Sequence, residues 1–298
     1  MLTTIILTKN EEKHIARAIN SVEGISERVV VVDSGSTDRT MEIAREMGAQ
    51  VLENAWVNYA TQFNWGIDQL PDDTQWVLRL DADEYITPEL HGQIGKALKT
   101  VDDDAAAMIV SRRMHFMGRA IRWGGVFPIR VARLFRYGRG RCENRWMDEH
   151  IIFEGPSINL SGELIDDNHN SITWWTEKHN WYASREVVDL LNIEMNFMEG
   201  FETVATLEGG QQAGVKRWLK EKVYARLPGG SRAMLYFLYR YVLRLGFLDG
   251  KEGAAFHVLQ GFWYRYLVDT KMHEVKTYMR RNNVDVRQAI KQVLTIDA

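Results

Sequence analysis

The chain has 298 residues, 45% of them apolar and 26% charged, which is enough to bury a sizeable core and excludes a disordered or collagen-like chain. The single cysteine, Cys142, excludes an internal disulfide and a paired-cysteine zinc or redox site, which points to a cytoplasmic setting. The net charge of −3 hides an asymmetry: residues 216–251 hold nine Lys or Arg against Glu221 and Asp249, a net +7, while residues 1–215 carry −12. So acidic a first part argues against nucleic acid as a partner.

In chain order, MLTTIILTKNEE lacks the basic segment and long apolar run of a leader and reads as a native start. The β-branched run Thr3 to Thr8 predicts a strand, and the apolar spacing of Ile15, Ala18, Ile19 and Val22 predicts a helix from Glu11 to Val22. Arg28 to Asp33 is a near-continuous valine strand. The turn Ser34-Gly35-Ser36-Thr37-Asp38 then leads into a helix from Thr40 to Met47 and a strand from Gln50 to Glu53. A helix over Tyr59 to Gln69 and a buried strand over Trp76 to Leu80 follow, and the strand ends abruptly in Asp81-Ala82-Asp83-Glu84. Unbroken apolar strands separated by helices predict an α/β fold whose mostly parallel sheet is covered on both faces. Such sheets take ligands beyond the carboxyl ends of their strands. From Ser111 to about Asp167 the pattern is less regular, with short strands expected at Val131 to Arg136 and Ile151 to Phe153. Beyond Ser171 the chain reads as helical, so a boundary is placed between a domain over 1–172 and a helical region over 173–298.

Three acids in four positions repel one another unless a cation or hydrogen-bond donors neutralise them. Hard oxygen donors of this kind suit Mg²⁺ or Mn²⁺ held together with a diphosphate. Neither a GxGxxG nor a GxxxxGK[ST] loop follows the first strand, where Thr8-Lys9-Asn10-Glu11-Glu12 stands, so dinucleotide and P-loop chemistry are disfavoured.

TIILTKNEE, VVVVDSGSTDRT and WVLRLDADE, in this order, resemble the nucleotide-binding half of family 2 glycosyltransferases, which have the Rossmann-like GT-A fold and invert the anomeric centre. The later segments WGG, RLFR and MDEH and the aromatic tail resemble the branch that builds lipopolysaccharide cores and exopolysaccharides. The resemblance implies a hexosyltransferase with a nucleotide-sugar donor, most naturally UDP-linked. It places Thr8, Asn10, Glu11, Asp33, Ser34, Asp81 and Ala82 around the nucleotide, with Glu11 towards the ribose and Asp33 towards the base. It also implies Mn²⁺ or Mg²⁺ at Asp83 and Asp81, with His169 completing the shell.

Inverting transfer needs a base for the acceptor hydroxyl. The family's acidic pair corresponds to Asp148-Glu149 in Met147-Asp148-Glu149-His150, with Glu149 favoured and Asp148 the alternative, or both simply capping a helix. Ten arginines lie between Arg112 and Arg145 against one acid, Glu143. They form either a solvated face or phosphate ligands, Arg130 and Arg133 being the expected diphosphate or acceptor contacts and Trp123 a platform for a sugar ring.

The apolar tail segment 234–248 contains Arg240 and Arg244 and is too short to span a bilayer. Its aromatics suit either the inner face of the cytoplasmic membrane, bound peripherally, or a buried helical core. A polyprenyl- or lipid A-linked saccharide acceptor would account for the first. The rival functions are a sugar-phosphate nucleotidyltransferase, disfavoured by the missing Gly-rich loop, and a non-catalytic nucleotide-sugar-binding scaffold at the membrane.

Overall fold

A computed structural model describes residues 1–143, 149–198 and 230–297. The alternating apolar segments of the first hundred residues form β1 (Leu2–Thr8), α1 (Ile15–Ser21), β2 (Arg28–Asp33), α2 (Thr40–Glu46), β3 (Gln50–Glu53), α3 (Tyr59–Asp68), β4 (Trp76–Asp81), β5 (Glu84–Ile86) and α4 (Pro88–Thr100). There follow β6 (Ala107–Phe116), β7 (Arg119–Ala120), β8 (Ile129–Arg136), β9 (Gly140–Cys142), β10 (Ile151–Phe153) and β11 (Ser157–Asp167). The main sheet runs β3-β2-β1-β4-β8-β6-β11-β5, with β7 beside β6. β3, β2, β1 and β4 are parallel, β8 enters antiparallel between β4 and β6, β11 is parallel to β6, and β5 is antiparallel to β11. This is a mixed, mostly parallel GT-A sheet flanked by helices.

Period-2 alternation divides each inner strand between two cores. Leu2, Ile6, Leu78 and Leu80 pack with Ile15 and Ile19 of α1 and Leu90 and Ile94 of α4. Ile5, Val30, Val32 and Val77 pack with Phe63 and Ile67 of α3. Each fully buried Leu, Ile or Phe contributes about 1.5–3 kcal/mol, so these two layers fix the sheet on which the polar loops stand. The helix starts are chosen locally: Asn58 caps α3 through the Thr61 N–H, and Thr87 caps α4 through the Leu90 N–H with Pro88 in the first turn. A register shift between Asn159 and Glu163 bends β11, and Gly162 stands in it with φ +88°, where a Cβ would lie 2.5 Å from the Leu90 backbone nitrogen.

The first predicted helix is shorter than expected. Residues 11–14 form a turn instead, because Asn10 takes φ 57° and the Glu11 N–H bonds to Thr40 Oγ1 at 2.7 Å rather than entering a helix. β5, β6, β7, β9 and β11, and the helix α4, are additions to the sequence reading.

By contacts, the chain divides into two units. One comprises residues 1–122, 126–143 and 149–169; among described residues the other comprises Trp123–Gly125 and the chain from Asn170. The second unit is helical: α5 (Ile172–Met195), α6 (Ser231–Leu238), a π-helical turn (Tyr239–Leu243), a 3₁₀ turn (Gly246–Asp249), α7 (Gly250–Phe256), a π-helical stretch (His257–Trp263), α8 (Tyr264–Asn282) and α9 (Val286–Leu294). Its own core joins Ala183, Val187 and Leu191 to Val268, Val275 and Ile290. Among described residues no helix is long and apolar enough to cross a membrane.

Candidate active site

The parallel register brings polar residues to the carboxyl ends of three neighbouring strands: Thr8 of β1 lies opposite Asp33 of β2, and Leu7 opposite Asp81 of β4. Asp33 is fully buried, and its carboxylate accepts from Thr8 Oγ1 at 2.8 Å, Ser36 Oγ at 2.6 Å and the Gly35 and Ser36 N–H groups at 2.9 and 2.7 Å. Four donors fill the acceptor capacity of a carboxylate. Asp33 therefore shapes the β2 loop, and contact with a base would require Thr8 or Ser36 to turn away. Ser34 bonds to the Thr8 carbonyl, and Asn10 accepts from the Thr37 N–H at 2.8 Å, so the two loops are stitched together. Glu11 accepts from His14 Nδ1 at 2.7 Å, while His14 Nε2 accepts the His169 N–H at 2.8 Å. That pair of bonds fixes the tautomer of His14, with its proton on Nδ1.

The acidic turn after β4 is neutralised largely by the protein. Arg133, 3% exposed on β8, donates to Glu84 and, at 3.3 Å, to Asp81. Tyr59 of α3 donates its hydroxyl to Asp81 and accepts from Arg79 Nε at 2.8 Å. Burial pushes the Asp81 carboxyl upward, but Arg133, Arg79 and the Tyr59 hydroxyl overcome it and hold the group well below the usual carboxylate range. Burial also raises Glu84, with Asp81 adding to the effect and Arg133 opposing it. Ala82 is buried in the turn, and between it and Glu84 stands Asp83.

Asp83 is different. Its carboxylate accepts from Asn168 Nδ2 at 2.9 Å, and among described residues it makes no ion pair. Near it Asp166 is pushed up to about 6, by burial first and by the negative charge of Asp83 second. Two carboxylates with this mutual repulsion form a donor set that a divalent cation relieves.

The expected metal set of Asp81, Asp83 and His169 is not assembled as such: among described residues no three His, Cys, Asp or Glu side chains converge on a common point. Asp81 is engaged by Tyr59 and Arg133. His169 Nε2 lies 2.9 Å from Asp167 and 3.0 Å from the Arg17 guanidinium, which opposes a cation there. Of the expected diphosphate contacts, Arg133 is buried and engaged with Asp81 and Glu84, and Arg130 is exposed at the start of β8, donating to Asn159 at 3.1 Å. Trp123 belongs to the helical unit, where its backbone N–H bonds to Asp249 at 2.8 Å. Asp148 lies outside the described residues. The backbone carbonyl of Glu149 accepts from Arg79 Nη1 at 2.9 Å, so Arg79 ties the Glu149 segment to Tyr59 and hence to Asp81.

Arg79, Tyr59, Asp166 and Asn168 escape the sequence reading. Arg79 stands inside the apolar run Trp76–Leu80, and that is the signal which singles it out: a guanidinium in a buried strand must have partners. Cys142 is buried, and burial pushes its thiol up to about 12. A groove of about 830 Å³ lies at the amino ends of β2 and β3 among Glu27, Arg28 and Gln50, away from these loops.

A mostly parallel sheet with a polar loop after β1 and an acidic Asp-Ala-Asp turn after β4, both at carboxyl strand ends, is the arrangement of a GT-A glycosyltransferase. The chain belongs to glycosyl transferase family 2, whose family model matches residues 3–155. An uncharacterized glycosyltransferase of Rickettsia prowazekii is 46% identical over 201 residues, which cover 64% of this chain and 68% of the relative. The lipopolysaccharide core biosynthesis glycosyltransferase LpsC of Rhizobium meliloti is 29% identical over 296 residues, 95% of this chain and 96% of its own. Among solved structures, glucosyl-3-phosphoglycerate synthase of Mycobacterium tuberculosis, in complex with Mn²⁺, uridine diphosphate and glucosyl-3-phosphoglycerate, matches with a TM-score of 0.32 and 20% identity. That match covers 39% of this chain and less than half, 44%, of the other.

Proposed function

We propose that this glycosyltransferase transfers a hexose from a UDP-sugar, with a divalent metal, to a lipid-linked saccharide of the bacterial surface at the inner face of the cytoplasmic membrane. The observation that carries the reading is the state of the acids after β4: Asp81 and Glu84 are bonded to Arg133 and Asp166 lies 4.0 Å from Arg112, while Asp83 accepts from Asn168 and among described residues makes no ion pair. The residues fit Mg²⁺ or Mn²⁺ held in an open site, which takes one or two carboxylates and completes its shell from water and phosphate oxygens. Asp83 would hold it, with Asp166 beside it. When bound, such an ion supplies Lewis-acid stabilisation of the charge developing on the nucleoside diphosphate leaving group.

The chain's own residues do the rest. Thr8, Asn10, Glu11 and Ser34 border the nucleoside at the β1 and β2 loops, and Asp33 keeps those loops in shape. Glu149 takes the proton from the acceptor hydroxyl as that oxygen attacks the anomeric carbon from the face opposite the diphosphate. Arg79 holds the Glu149 backbone in place while pairing with Tyr59. A lipopolysaccharide-type acceptor is supported by the end-to-end similarity to LpsC.

The test is calorimetric titration with UDP, GDP and CDP, each with Mn²⁺ and with EDTA. Metal-dependent binding selective for UDP is expected, whereas a preference for GDP overturns the UDP assignment and no binding of any nucleotide overturns the transferase mechanism. Glu149→Gln should retain UDP binding and lose transfer; full activity in that variant moves the base to Asp148.

A further inference from the structure

The helical unit carries an apolar tip with no counterpart in the transfer chemistry. After α6 the chain passes through the π-helical turn, reverses at Leu245, which takes φ 60°, and closes in the 3₁₀ turn. Val242, Leu243, Leu245, Phe247 and Leu248 are all exposed there, Leu243 to 73%. Surface hydrophobics scattered singly need no explanation, but five within seven residues form a patch.

The tip is built rather than frayed. The Arg244 N–H closes a π-type bond to the Tyr239 carbonyl at 2.8 Å, and the Gly124 N–H bonds to the Arg244 carbonyl at 2.9 Å. Asp249, 2% exposed, turns inward and accepts the backbone N–H of Trp123. This pinning sets the exposed Trp123 beside the tip. An indole with an apolar body and one N–H donor is suited to the boundary between lipid and water.

Arg244 and Lys251 are the exposed charges at the tip: Glu252, 3.8 Å from the Lys251 ammonium, is mostly covered, and Asp249 between the two cations is buried. Arg240, in the π-helical turn itself, is 4% exposed, and its Nε and one terminal nitrogen have no hydrogen-bond partner among described residues. Acyl chains for the apolar tip and phosphates for the exposed Arg244 and Lys251 are found together in an anionic bilayer. No described helix can span one, so the contact is interfacial.

We propose that the tip Val242–Leu248, flanked by Trp123, Arg244 and Lys251, is a wedge that inserts into the interface of a bilayer rich in anionic phospholipid. The inference rests on the reading of a membrane-linked acceptor and names the surface and the lipid charge that serve it.

The experiment is co-sedimentation of the full chain with vesicles of neutral phosphatidylcholine and of phosphatidylcholine mixed with phosphatidylglycerol, using wild type, Leu243→Glu and Lys251→Glu. Wild type is expected on the anionic vesicles and not on the neutral ones. Leu243→Glu should weaken binding about tenfold or more, the partition of one leucine side chain, and Lys251→Glu should weaken it less and only at low salt. Both side chains are exposed, so both variants should melt with wild type. Equal binding of wild type and Leu243→Glu, or no preference for anionic vesicles, overturns the wedge. A wild-type dimer that Leu243→Glu splits without any vesicle binding also overturns it, by assigning the face to a second copy. UDP titration of the same samples separates the two readings: vesicle binding without UDP binding sustains the wedge and overturns the proposed transfer mechanism, and the converse overturns the wedge alone.

Discussion

Arg133 donates to both Asp81 and Glu84, so two of the three acids that follow β4 share one buried guanidinium. Breaking such an arrangement leaves the buried Glu84 with only the more distant Arg112, 3.9 Å away, for a cation. Arg133→Met should therefore destabilise the fold by about 3–5 kcal/mol in urea denaturation. A loss below about 1 kcal/mol, accompanied by a large drop in UDP affinity, would return Arg133 to the role of phosphate ligand.

Arg79 joins three elements, through the Tyr59 hydroxyl, the Asp81 carboxylate and the Glu149 carbonyl. It is a positioning residue in this account, and a lysine cannot reproduce the planar fork that reaches both oxygens. Arg79→Lys is expected to lower kcat roughly 10- to 100-fold with the KM for donor little changed. Tyr59→Phe keeps the ring under Arg79 and should cost less. Steady-state kinetics with a melting curve for each variant check this, and a change in donor KM with kcat intact would contradict it.

The same residues mark the reach of the sequence. β1, β2 and β4 are legible because Ile5-Ile6, Val30 to Val32 and Val77-Leu78 are buried on both faces and read as unbroken apolar runs. β6 and β11 are not, since Ser111, Arg112 and Arg113 interrupt the pattern of β6 and their charges are matched only across the sheet, as Arg113 is by Glu163. The acidic turn after β4 is likewise legible, as is the need for something to neutralise it. What neutralises each acid depends on β8 inserting antiparallel beside β4, which carries Arg133 to Asp81 from 52 positions away. Non-local pairing of that kind leaves no local spacing to read.

The helical unit has its own pH signature. His179 lies stacked on Trp175 with ring centroids 3.4 Å apart, and burial pulls its pKa from 6.5 down to about 4. His257, fully buried, is lowered to about 4 in the same way. Below about pH 6.5 the unfolded chain takes up these protons before the folded one does, so stability falls as the pH drops from about 6.5 to about 4. Discounted for partial exposure, His179 should account for about 1–2 kcal/mol of that loss. His179→Phe, which keeps the stacked ring without the titration, should flatten the stability profile across this window; an unchanged profile would contradict the assignment.

The Asp83 carboxylate is the point on which the transfer mechanism turns. The measurement that tests it most directly is release of UDP from a UDP-hexose by wild type and Asp83→Asn, each with Mn²⁺ and with EDTA, with melting curves to confirm the fold. The account predicts release by wild type with Mn²⁺, none with EDTA, and a loss of about a thousandfold in Asp83→Asn at an unchanged melting temperature. Release that survives both EDTA and Asp83→Asn would contradict it.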